Sequence, residues 1–185
     1  MIDLKHMRPT KLLWVDLEMT GLDPEQYVIV EVAAKVTDFN FKPLGEYSAV
    51  IHQPDDVLDN ATEWNKEHHG GPDGLYVRSR QSQISEHEAV QGLIQLISGT
   101  FGEEPATLAG NSIHQDRRFI RKWWPDVEAL LHYRMLDVSS WKVVMRGKFD
   151  VQFVTQENHR ADDDIQESIN ELKFYLDWFS RRQQN

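Results

Sequence analysis

With 185 residues and no cysteine, the chain is long enough to bury a sizeable core, and it excludes disulfide staples, thiolate metal sites and a catalytic thiol, which fits a reducing compartment. A formal net charge of -10 argues against gripping a long duplex by its phosphates, while leaving room for a short anion met by carboxylate-held cations. No apolar run approaches a membrane span, and "MIDLKHMRPTK" has neither the apolar stretch of a signal peptide nor the Arg/Ser richness of a transit peptide. The expectation is a soluble cytoplasmic protein, or a mitochondrial form if a targeting segment was removed, with one domain over 1–185 and a flexible lead over 1–10.

Three apolar stretches come first. "KLLWVDLEM", "YVIVEVAAKVTD" and "GEYSAVIH" are separated by the turn formers of "TGLDPEQ" and "FNFKPL", which predicts a meander of strands. From Asp55 the spacing becomes helical, in "DDVLDNATEWNKEHH" and then in "SEHEAVQGLIQLISGTF", where Ser85 and Glu88 form a capping-box pattern. "ATLAGN" and "YRMLDVS" read as short strands, each followed by a helical segment, so parallel βα units follow the meander and the sheet is mixed. The last segment, from Arg160 to Arg182, carries Ile165, Ile169, Leu172, Leu176 and Phe179 on one helical stripe.

Against this apolar background a few acids stand out. Asp16 and Glu18 point to one face of the first strand, where two like charges about 4 Å apart cost on the order of 4 kcal/mol at an effective dielectric of about 20. Such a pair needs a cation, a proton or water. Taken alone, a strand-end acid pair is as often a solvated turn. Asp116 sits at a helix start after Gly110-Asn111, and His159 precedes Asp164 by five residues at a loop-helix boundary; each has an ordinary structural explanation by itself. Asp162 and Asp163 read as complements to the helix dipole, whereas Asp164 directly precedes the buried stripe, where a bare carboxylate is costly.

Taken together, Asp16-x-Glu18, Asp116 and His159-x-x-x-x-Asp164 resemble the DEDDh 3'-to-5' exonucleases. "WVDLEMTGLD", "AGNSIHQDRRF", "HYRMLDVSS" and "HRADDDIQES", which run from end to end of the chain, resemble more closely the oligoribonuclease family. That resemblance implies an α/β, ribonuclease-H-like fold with a mixed five-stranded sheet flanked by helices. It implies a 3'-to-5' exoribonuclease that degrades short RNA of two to about five nucleotides, dinucleotides above all, to nucleoside 5'-monophosphates by two-metal-ion hydrolysis. The metals would be Mg2+ or Mn2+, which suit hard oxygen ligands.

By the same resemblance, Asp16 bridges the two ions, Glu18 and Asp164 complete the nucleophile-side ion, and Asp116 serves the leaving-group side, partly through water. His159 is the general base, a task its near-neutral pKa suits. Leu22 and Trp64 wedge against the bases, His69 contacts substrate, and Ser112, Arg134 and Ser139 cap the 5' phosphate. Tyr133, matching the family's active-site tyrosine and read as catalytic, and the neighbouring Arg134 enter from the partner subunit of a homodimer. His68 is left as a surface residue. The stretch "RGKFDVQFVTQEN" departs from the Trp-x-Pro pattern of many relatives, and Asp162 is an extra acid.

Three other readings compete. The strongest is a DEDDh exonuclease acting on 3' ends of longer RNA or DNA, since the metal site would be the same. An aspartyl-phosphate phosphatase of the haloacid dehalogenase type has Asp where Glu18 stands and no use for the His159–Asp164 spacing. A catalytically dead binding module on the same fold would normally have lost an acid, and none is missing.

Overall fold

The computed structural model describes residues 8–154 and 161–182, with the side chains of 161–163 outside the description. The expected meander is present as β1 (Lys11–Met19), β2 (Ile29–Asp38) and β3 (Pro43–Val50), each antiparallel to the next. β4 (Ala106–Gly110) pairs parallel with β1, and β5 (Leu131–Asp137) pairs parallel with β4, giving the sheet order β3-β2-β1-β4-β5. β1 is therefore central, and β5 is an edge.

Helices cover both faces. α1 (Asp55–Asp59), α2 (Glu63–His69), α3 (Leu75–Gln81) and α4 (Glu86–Phe101) precede β4. α5 (His114–Trp123) and α6 (Pro125–Glu128) lie between β4 and β5, and α7 (Val138–Phe149) and α8 (Ala161–Arg182) follow β5. The capping box at the start of α4 forms as expected: the Glu88 amide donates to Ser85 Oγ at 3.2 Å, and the Ser85 amide donates to Glu88 Oε2 at 2.8 Å.

The segment from Asp55 to His69 reads as one helical stretch but folds as two helices. The first ends at Asp59 with Asn60 as its C-cap, and Thr62 caps the second: its hydroxyl accepts the Asn65 amide at 3.3 Å, while its own amide donates to the Thr20 carbonyl at 3.0 Å. That tertiary bond diverts the backbone. α3 and α6 were not foreseen, being too short to display a stripe.

Alternation along β1 divides the core. Leu13, Val15 and Leu17 face one way, into a cluster with Leu93 and Ile97 of α4 and Phe119 and Ile120 of α5. Leu12 and Trp14 face the other way, against Val138 of α7 and Ile165, Ile169 and Leu172 of α8. The stripe expected on the last helix is thus buried on this second face. Among the described residues no helix is long and apolar enough to cross a membrane.

Candidate active site

Continuing the even-numbered side of β1 past Leu12 and Trp14 brings Asp16 and Glu18 onto the face covered by α8. Asp164 lies one residue before Ile165, where α8 begins to pack, so it meets them there. Ligand oxygens of Asp16, Glu18 and Asp164 all lie within 4.8 Å of one another. Burial first, and then the charges of Asp116, Glu18 and Asp164, hold the Asp16 carboxyl well above the usual carboxylate range. Glu18 is pushed up to about 7, by burial, then Glu31 and Asp164, with Arg78 opposing. Hard oxygen donors converging from two elements fit a divalent cation.

Asp116, in the first turn of α5, is buried and accepts the Leu17 amide at 3.0 Å through Oδ1. Burial raises it to about 7 against the pull of that hydrogen bond and of its own amide. Its field reaches Asp16, yet it is not one of the three carboxylates that meet within 4.8 Å.

Sequence reasoning missed two charged neighbours. The antiparallel register sets Glu31 of β2 opposite Glu18, and Arg78 of α3 pairs with Glu31 at 3.2 Å. Neither falls in a local pattern: strand register places Glu31, and the packing of α3 against β2 places Arg78. His69 Nε2 lies 3.5 Å from Glu18 Oε2, as suits a group beside the acids.

Leu22 and Trp64 are 67% and 59% exposed, so neither is core. Asn65, also missed, ties their two segments together by donating from Nδ2 to the Met19 carbonyl at 2.8 Å. His68 is exposed as expected, and its ring stacks on Trp64 at 3.9 Å between centroids, bracing it.

Ser112 and Ser139 come together, their hydroxyl oxygens 3.1 Å apart. The Ser112 amide donates to both Ser139 Oγ at 2.9 Å and Asp137 Oδ1 at 3.0 Å, which supports its left-handed backbone at φ 49°. Tyr133 and Arg134 lie on the edge strand β5, which β4 separates from the acids on β1. Tyr133 is 54% exposed, with the Arg134 guanidinium 5.1 Å from its ring centre. Within one chain the two are displayed to solvent. His159 lies outside the described residues.

The five-stranded mixed sheet thus carries its acids at the end of its central strand. Residues 13–172 match the RNase_T family model, described as exonuclease. Exonuclease I of E. coli, solved with a 5cy-dT13 oligonucleotide, superposes with a TM-score of 0.72 at 15% identity, covering 95% of this chain and 42% of that one. The zinc-bound form of the E. coli exonuclease I complex with single-stranded DNA gives 0.70 at 15% identity, over 88% of this chain and 39% of that one. These two share the fold, and the chain spans about two-fifths of their length.

Curated relatives match along nearly their whole length. The oligoribonuclease of Chromobacterium violaceum is 44% identical over 172 residues, 91% of this chain and 94% of that protein. That of Marinobacter nauticus is 45% identical over 173 residues, covering 91% and 96%. The chain belongs to the oligoribonuclease family.

Proposed function

We propose that this protein is a 3'-to-5' exoribonuclease that hydrolyses short oligoribonucleotides, dinucleotides best, to nucleoside 5'-monophosphates. The observation that carries the proposal is the meeting of Asp16, Glu18 and Asp164 from β1 and α8, in a chain aligned over 91% of its length with an oligoribonuclease. An exonuclease working on longer 3' ends is not favoured by those relatives. A single-domain enzyme working in the cytoplasm is in keeping with this reading.

Asp16, Glu18 and Asp164 would hold divalent cations, Mg2+ or Mn2+, with Asp116 as a further ligand set slightly apart. When bound, such ions supply charge neutralisation at the scissile phosphate and lower the pKa of water. Water adds to phosphorus as the bond to the 3' oxygen breaks, and that oxygen leaves with a proton. His159 takes the proton that the water gives up. Trp64, braced by His68, and Leu22 offer apolar surface for base stacking, which tolerates any base. Ser112 and Ser139, with Arg134 of the partner subunit, take the 5' phosphate, which leaves room for two nucleotides.

A time course with 5'-labelled RNAs of two to seven nucleotides in Mg2+ tests the reading. The dinucleotide should disappear fastest, with kcat/KM falling sharply at three. Equal rates for two and seven, or a preference for seven, would replace the dinucleotide reading with that of a general exonuclease.

Exposure of Tyr133 and Arg134 on an open sheet edge supports a homodimer in which they complete the partner's site. Mixing an Asp16→Ala subunit with a Tyr133→Ala subunit should then recover activity that either homodimer lacks. No recovery despite verified subunit exchange would mean a site built within one chain.

A further inference from the structure

Along α8, Asp164, Ser168, Glu171 and Tyr175 recur at offsets of 4, 3 and 4, a polar row beside the apolar row of Ile165, Ile169 and Leu172. Glu171 is 0% exposed. The Tyr175 hydroxyl donates to its Oε1 at 2.7 Å, Asn111 Nδ2 donates to its Oε2 at 3.4 Å, and Lys142 Nζ of α7 stands 3.4 Å from Oε2. Asn111 Nδ2 also donates to Ser168 Oγ at 3.0 Å, and Asn111 Oδ1 accepts from Ser139 Oγ at 3.3 Å. Ser139 Oγ in turn accepts the Ser112 amide. A continuous run of polar contacts therefore leads from the helix of Asp164, through the residue that follows β4, to the two serines read above as the phosphate cap.

We propose that Glu171 is a positioning residue: through Asn111 it holds the Ser112–Ser139 pair at a set separation from Asp164, and so helps set the length of RNA the enzyme prefers. The inference rests on the reading of cap and metal ligands given above. A buried carboxylate is a poor choice for stability alone, because a well-packed neutral side chain avoids its desolvation. Here it draws partners from α7, from the loop after β4 and from α8 itself, which locks three elements that no shared strand pairing joins. A dinucleotide touches metals and cap at once, so an error of about 1 Å in their separation costs rate. A longer RNA, unable to use both, is less sensitive.

The test compares E171Q and N111A with the wild type, each loaded with Mn2+, on 5'-phosphorylated RNAs of two and five nucleotides. Mn2+ affinity is read separately by titration calorimetry. Both variants should lower the two-to-five ratio of kcat/KM by about tenfold, with the loss in kcat on the dinucleotide, while Mn2+ affinity stays within about twofold of the wild type. Tyr175→Phe removes the donor to Oε1 and spares the Asn111 arm, so it should lower the melting temperature and leave ratio and affinity unchanged. If E171Q melts lower but keeps the wild-type ratio, Glu171 is only structural and the inference is overturned. N111A carries the same expectation for the ratio should E171Q fail to fold. A wild type with no preference for two over five would instead overturn the cap reading, and the inference with it.

Discussion

Replacing Asp16 with asparagine should lower hydrolysis of a dinucleotide by about a thousandfold or more, while raising the melting temperature of the metal-free protein at pH 8. Both effects come from one feature. Asp16 is the residue on which the fields of Asp116, Glu18 and Asp164 converge, in a buried setting that already disfavours its charge. Without a cation, ionising it is costly, and a neutral isostere relieves that cost. With a cation bound it would supply one of the three carboxylates that hold the ion, and asparagine would offer only a neutral carbonyl there. Asp164→Asn should show the same loss, because the cluster takes one of its three acids from α8. Activity assays and thermal melts with and without Mn2+ check the pair of effects. An Asp16→Asn protein that keeps wild-type turnover would remove the acids from the mechanism.

The metal-free protein should lose stability as pH rises from about 4 to about 7. Glu18 and Asp116 are each pushed up to about 7 in the folded chain, from ordinary values of 4.5 and 3.8, and Asp16 is raised as well. A carboxyl whose folded pKa is raised binds its proton more tightly folded than unfolded. Its contribution is therefore fully present below the unfolded value and disappears as pH climbs through the folded one. The melting temperature should fall by about 10 °C across that window and level off above it. Saturating Mn2+ at pH 8 should reverse the fall, since the cation takes the place of the protons, and calorimetry should record proton release on binding near pH 6. A metal-free melting temperature that rises steadily from pH 4 to pH 8 would contradict the raised carboxyls.

Local patterns determined much of this protein. A period of two along "WVDLEM" is enough to put Asp16 and Glu18 on one face, because side chains alternate in any strand. The stripe from Ile165 to Leu176 marks α8, Ser85 and Glu88 mark the start of α4, and turn formers separate the three meander strands, each through contacts within a few residues. Tertiary structure decided which face of β1 received the acids: the even-numbered side packs under α8, and so Asp164 joins them while Asp116 approaches from α5 and stays outside the trio. It also decided that Glu31 lies opposite Glu18, that Thr62 breaks a helical stretch by bonding Thr20, and that Glu171 is buried against Asn111 and Lys142. Register, long-range hydrogen bonds and burial depend on which distant segments pack together, and no periodicity along the chain encodes that choice.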